Sequence, residues 1–216
     1  MNQKNYLIIG ASGGIGKAMV KQLIEMSANN KSSGKIFATY HTNQPNFAAD
    51  NLYWLPMDVS DEKSIEQAIA DIKQQTTHIG WVINCVGLLH TPHNQPEKAL
   101  RQLETDFFLQ SMQINALASL LIAKHIKPLL AKAERNADKP MKNLSIEWSR
   151  SLKDVCVVVM QPGTVDTQLS SPFQGNVADE KLFSPAYSAQ RLLEVLDSMT
   201  AAQSGSFVDW AGESIA

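Results

Sequence analysis

The order of apolar and polar positions divides the 216 residues into short unbroken apolar runs and longer stripes of helical period. "YLIIG" (Tyr6–Gly10) has the length and content of a buried strand, and "KAMVKQLIEMSA" carries apolar residues at Met19, Val20, Leu23 and Ile24, the spacing of a helix face. "NNKSSGK" is a loop by composition. "KIFATY" is a second strand, broken at Pro45, and "NLYWLPMDVS" is a third, ending near Asp58. "SDEKSIEQAIADIKQQ" is a helix, with Ser60 as the expected N-cap and Asp61 and Glu62 in its first turn. "GWVINCVG" is a fourth strand. A helical stretch from Glu104 to Arg135 is expected to be kinked or divided at Pro128, and the pattern breaks again at Pro140. "DVCVVVMQPG" is a strand, "SPAYSAQRLLEVLDSM" a helix with Ser184 as N-cap and Pro185 at its first position, and "GSFVDWAG" a last short strand. Strands alternating with helices imply βαβ units, and hence one doubly wound α/β domain with a parallel sheet between two helical layers.

The first strand ends in a glycine-rich turn. Gly10, Gly14 and Gly16 stand between that strand and the first helix. Gly10 suits a tight turn, Gly14 lets the backbone approach a diphosphate, and Gly16 lets the helix pack on the strand. The helix N-terminus adds unpaired N–H groups and the positive end of its dipole. This is the dinucleotide-binding start of a Rossmann fold; a tight structural turn without a ligand is the alternative.

A net charge of −2 gives no electrostatic footprint for nucleic acid or an anionic membrane, and the apolar runs are too short to cross a bilayer. The N-terminus shows no basic region followed by an apolar run, so no secretory leader is expected. Cys85 and Cys156, the only cysteines, sit in apolar stretches and read as buried free thiols of a reducing, cytoplasmic compartment. A disulfide between them is the alternative.

Several separated segments, in order, carry a resemblance: "GASGGIG", "MDVS", "NCVG", "QINALASLLIAKHIKPLL" and "QPGTVDTQLS". Together they resemble the short-chain dehydrogenase/reductase family over nearly the whole chain. "NLSIEW", "PGTVDTQLSSPFQGNV" and "GSFVDWAGESI" are most similar to its bacterial C-factor type. The resemblance implies an NAD(P)-dependent oxidoreductase of carbonyl or alcohol substrates. It also implies cofactor contacts at Gly10, Ser12, Gly13, Gly14, Ile15 and Gly16, with Ile9 where Thr is usual. Asp58 and Val59 fall on the adenine side, and Asn84, Val86 and Gly87 beside the cofactor, with Cys85 and Val86 departing from the N-N-A-G pattern. Pro162, Gly163, Thr164, Val165 and Thr167 fall on the nicotinamide side. Asn115 matches the Asn of the family's catalytic tetrad, which holds a water and the active-site helix for proton relay. The long helices imply a homodimer or homotetramer.

An NAD-preferring site places an acid at the end of the second strand, to bind the ribose 2′-hydroxyl. No Asp or Glu occurs between Glu25 and Asp50. Tyr40, His41 and Thr42, with help from Lys17, could instead bind a 2′-phosphate. NADP is therefore the expected cofactor, with NAD possible.

The family's chemistry also needs a Ser on a strand and a Tyr with a Lys four residues later on the next helix. No Y-x-x-x-K occurs: the tyrosines are Tyr6, Tyr40, Tyr53 and Tyr187, and Tyr187 is followed at that spacing by Arg191 on the wrong element. "NADKPMKNLSIEW" runs straight on where a strand, its loop and the first helical turns are expected, a gap of roughly 20–35 residues. The expected reading is that a disordered segment is left out of the printed sequence near 139–142, at Pro140–Met141. A natural or engineered deletion is the second reading.

His90 and His93 form H-x-x-H in a loop, but no further ligands cluster in sequence, so no metal is expected and the two line the substrate side or are solvated. "QLSSPFQGNVADEKLF" resembles a substrate lid in which Phe173 and Phe183 could cover an apolar substrate.

Overall fold

The computed structural model describes residues 4–29, 33–97, 99–130 and 155–215. Strand β1 (Lys4–Ile9) leads through the glycine turn into α1 (Gly14–Asn29), and β2 (Ser33–Tyr40) follows. Next come β3 (Leu52–Pro56), α2 (Glu62–Gln75) and β4 (Trp81–Asn84). The four strands form one parallel sheet in the order β3-β2-β1-β4, with Leu7 facing Phe37 on one side and Val82 on the other. Strand β1 is central, which is why Leu7, Ile8 and Ile9 are completely buried and read as an unbroken apolar run.

Both sheet faces are covered. On one, Ile65, Ile69 and Ile72 of α2 and Ile122 and Ile126 of the later helix α4 (Ala118–Leu130) pack on Leu7, Ile9 and Phe37. On the other, Val20 and Leu23 of α1 meet Leu192 and Leu196 of α5 (Pro185–Ser198) over Ile8, Ile36 and Ala38. The architecture is therefore the expected Rossmann-like α/β fold: a parallel central sheet with flanking helices.

Four details differ from the sequence reading. The N-cap of α2 is Asp61, whose carboxylate accepts from the Lys63 amide at 3.1 Å. Ser60 is instead drawn to Asp58, donating both its amide and its hydroxyl to Oδ1. The third strand ends at Pro56, two residues before Asp58. The long helical stretch divides not at Pro128, which lies inside α4, but at a π-helical segment, Gln113–Leu117, between α3 (Thr105–Met112) and α4. The fourth concerns "DVCVVVMQPG". Cys156, Val157 and Val158 are buried, yet among the described residues only β5 (Val159–Gln161) of this run forms a ladder, parallel to β8 (Phe207–Asp209). Among the described residues no ladder joins β4 to β5. A further short parallel pair, β6 (Thr164–Val165) with β7 (Leu182–Phe183), was not legible in the pattern. The interruption expected near 139–142 lies outside the described residues.

Candidate functional site

The carboxyl ends of β1, β4 and β5 bring three of the singled-out segments together. Gly10 turns the chain with φ of 75°, and a Cβ there would stand 2.8 Å from Val86 Cγ2. The Gly10 amide donates to Thr39 Oγ1 (3.1 Å) and the Ala11 amide to Thr39 O (2.8 Å), which ties the turn to β2. A Cβ on Gly16 would meet Gly10 O at 2.5 Å, so close packing of α1 on its own turn requires glycine. A Cβ on Gly14 would meet Thr167 Cγ2 at 2.5 Å. Ser12, Gly13 and Gly14 are exposed and Ile15 is half-buried. Among the described residues the amides of Ser12, Gly14 and Ile15 donate to no protein group, as expected at a helix start. The turn is thus a cradle of free donors in which Gly10, Gly14 and Gly16 have no room for a Cβ, and it fits a diphosphate.

Behind the turn, Asn84 anchors the loop after β4. Its Oδ1 accepts from the Val86 amide at 3.0 Å, and its Nδ2 donates to Ser119 Oγ at 3.1 Å. Asn115 lies in the π-helical segment and clasps the next residues of that loop. Its Oδ1 accepts from the Leu88 amide and its Nδ2 donates to Leu88 O, each at 2.7 Å. A second Nδ2 bond goes to Ser111 Oγ at 3.0 Å. Gly87 faces this clasp, its ideal Cβ position lying 3.8 Å from Asn115 Oδ1. A π-turn is an expected distortion where a helix side chain is committed to a site.

On the second-strand side, His41 Nε2 lies 3.5 Å from Asp58 Oδ2, and Thr42 Oγ1 lies 3.5 Å from His41 Nδ1. The Ser60 hydroxyl, with smaller contributions from its amide and from His41, holds the Asp58 carboxyl below the usual aspartate range against the opposing effect of burial. Val59 beside it is buried. The Tyr40 ring packs edge-on against Trp54 at 6.4 Å.

On the far side, Pro162 O accepts from the buried Ser188 hydroxyl at 3.0 Å, which fixes the P-G segment on α5. Gly163 has φ of 78° and lies against the Phe183 ring, where a Cβ would approach to 2.6 Å. Phe183 packs edge-on against Trp210 at 4.7 Å and Tyr187 at 5.0 Å. Phe183 therefore forms a wall against Gly163. Thr164 is half-buried, Val165 is buried, and Thr167 turns back to Gly14. Phe173 packs edge-on against His90 at 6.0 Å, and His90 Nε2 lies 3.2 Å from Leu169 O, so the lid-like loop touches the loop after β4. Among the described residues no three His, Cys, Asp or Glu side chains gather as a metal site. The sequence reading missed Ser119, Ser170 and Ser188, whose hydroxyls anchor the site segments; an isolated serine carries no spacing signal.

A Rossmann-like sheet with a glycine turn at its carboxyl edge defines a class, and comparison gives the family. The short chain dehydrogenase family model matches residues 4–137, more than half of the chain. The chain belongs to this family. A short-chain dehydrogenase/reductase of Colletotrichum higginsianum is 24% identical over 188 residues, 79% of this chain and 45% of that protein. The curated relatives are matched over only 39 to 45% of their own length. Among solved structures, carbonyl reductase Sniffer of Drosophila melanogaster superposes with a TM-score of 0.81 at 18% identity, over 100% of both chains. NADPH-bound carbonyl reductase from chicken fatty liver gives 0.79 at 19% identity, over 100% of this chain and 95% of that one.

Proposed function

We propose that the protein is an NAD(P)-dependent oxidoreductase that moves hydride between nicotinamide C4 and the carbonyl carbon of a small aldehyde, ketone or alcohol substrate. The observation that carries this reading is the cradle of free main-chain N–H groups at Ser12, Gly14 and Ile15, in a chain that belongs to the short-chain dehydrogenase family. When bound, the nicotinamide cofactor supplies or accepts the hydride. The residues of this chain bind and orient it: the loop Gly10, Ser12, Gly13, Gly14, Ile15 and Gly16 at the diphosphate, and Asp58 and Val59 at the adenine. Asn84, Val86 and Gly87 form the back wall, and Pro162, Gly163, Thr164, Val165 and Thr167 the nicotinamide side. Asn115 holds the Leu88 backbone and, in this reading, a water of the proton relay.

NADP is the favoured cofactor. No acid stands at the end of β2 to repel a 2′-phosphate, while His41 and Thr42 are exposed there. The NADPH bound in the structurally similar chicken enzyme supports the same choice. The proton-transferring Tyr, Lys and Ser belong to a segment left out near 139–142, and the edges of β4 and β5, which no ladder joins among the described residues, support a strand between them. The exposed row Leu109, Met112, Leu117 and Leu120 supports a homodimer or homotetramer built on α3 and α4. The Cys85 thiol, which lies against Met19 Sδ, supports a reducing, cytoplasmic setting.

A second reading, a non-catalytic nucleotide-binding or signalling protein, is favoured by one observation: no Y-x-x-x-K stands in the sequence. The likeness to the C-factor type accords with it. NADPH oxidation by full-length protein with a panel of aldehydes and ketones separates the two. Turnover with at least one carbonyl supports the enzyme, and tight NADPH binding without turnover supports the signalling protein.

A further inference from the structure

We propose that Ser170 is a positioning residue that holds the Thr167 hydroxyl against the glycine turn, where a diphosphate oxygen can accept its proton. The proposal rests on the dinucleotide reading above. Thr167 is the side chain nearest Gly14: an ideal Cβ there would lie 2.5 Å from its Cγ2 and 3.1 Å from its Cβ. Nothing in the regular secondary structure fixes it there, since it follows β6 in a loop.

What fixes it is one hydroxyl. Ser170 Oγ donates to Val165 O and accepts from the Thr167 amide at 3.3 Å and from Gln174 Nε2 at 2.9 Å. Gln174 Nε2 also reaches Asp166 Oδ1 at 3.2 Å. The Ser170 and Ser171 amides both return to Thr167 O, at 3.1 and 3.0 Å. A hydroxyl has one proton and two lone pairs. The Ser170 proton has Val165 O and, at 3.2 Å, Thr167 O in reach, while two N–H groups approach its lone pairs. Thr167 Oγ1 stands 3.3 Å from Ser170 Oγ, a contact in which either hydroxyl can donate. These bonds hold Thr167 beside a turn whose amides at Ser12, Gly14 and Ile15 donate to no protein group among the described residues. A diphosphate oxygen there would be a charged acceptor for those amides and, in place of the long contact to Ser170, for the Thr167 hydroxyl.

Removing the Ser170 hydroxyl frees the Thr167 amide, the Gln174 side chain and Val165 O at once. The loop then no longer dictates where Thr167 points. The test uses full-length protein and two probes, NADPH and 2′-AMP, the second carrying the adenine and 2′-phosphate without the diphosphate. Ser170→Ala is expected to weaken NADPH about tenfold, the worth of one charge-assisted hydrogen bond, and to leave 2′-AMP affinity nearly unchanged. Ser170→Thr, which keeps the hydroxyl, restores NADPH binding. Thr167→Val loses as much as Ser170→Ala, and the double variant loses no more than either. Should Ser170→Ala fail to fold, Thr167→Val alone carries the same expectation. Equal NADPH affinity in Ser170→Ala and the parent overturns the proposal, as does an equal loss for both probes. A parent protein that binds 2′-AMP and not NADPH overturns the positioning role, and one that binds neither overturns the dinucleotide reading with it.

Discussion

Glycine acts here through what it lacks. At Gly16 a methyl group would meet a backbone oxygen at 2.5 Å, and backbone yields only by moving the turn and α1 together. Gly16→Ala is expected to cost about 1–3 kcal/mol in urea unfolding, the range for overpacking. Gly175 has nothing within 4 Å of the same ideal position, so Gly175→Ala should stay within about 0.5 kcal/mol of the parent. Equal effects at the two sites would contradict the packing role of Gly16. Cys85 is the other instructive residue. Burial pushes its thiol up to about 12, and its sulfur lies 3.8 Å from Met19 Sδ. The thiolate is the reactive form, so at pH 8 the native protein should leave Cys85 unalkylated by iodoacetamide, with labelling appearing only on unfolding. Native labelling measured by peptide mass would show the loop after β4 to be open.

At the scale of elements, legibility followed locality. β1, the glycine turn and α1 were readable because each is set by neighbouring residues, as was the Ser184 cap, which accepts from the Tyr187 amide at 3.1 Å. The division of α3 from α4 was not. Proline was the visible breaker, but the π-turn forms where Asn115 reaches Leu88, 27 positions earlier in the chain. Ser60 was a fair N-cap candidate until Asp58 claimed its hydroxyl. Asn115→Ala removes three hydrogen bonds from an exposed position and should lower stability by about 1–2 kcal/mol. It should also speed amide exchange at Leu88; unchanged exchange there would contradict the clasp. The junction of α2 and α4 gives a pH test. Glu62 Oε1 meets Lys124 Nζ at 2.6 Å and His125 Nε2 at 2.9 Å, and the Lys124 ammonium, then His125, holds the carboxyl below the usual glutamate range. A depressed folded pKa adds stability above the unfolded value and loses it as pH falls through the folded one. The melting temperature should therefore drop below about pH 4.3 less steeply in Glu62→Gln than in the parent, with the gap closing in high salt. Parallel acid curves would show the contact to be energetically silent.

For the whole molecule, the sheet's two parts carry the open issue. The apolar run Val155–Met160 reads as a full strand, but a strand is defined by its neighbours, and among the described residues only Val159–Gln161 has one. Among the described residues no ladder joins β4 to β5, which leaves room for a further strand of the set. The intact protein is accordingly expected to have a mass well above the 23.8 kDa of these residues, with the excess mapping between Ala131 and Asp154. A mass equal to it would turn the reading to a deletion and to a protein that binds without turning over. The central claim, that main-chain amides at Gly10–Gly16 grip a dinucleotide diphosphate, is tested most directly by titrating NADPH calorimetrically into folded, full-length protein, with Gly14→Val alongside. Saturable heat, with a Kd on the order of 1 μM to 1 mM, that disappears in the variant is the expected result. No heat from the parent protein, or undiminished heat from Gly14→Val, would contradict it.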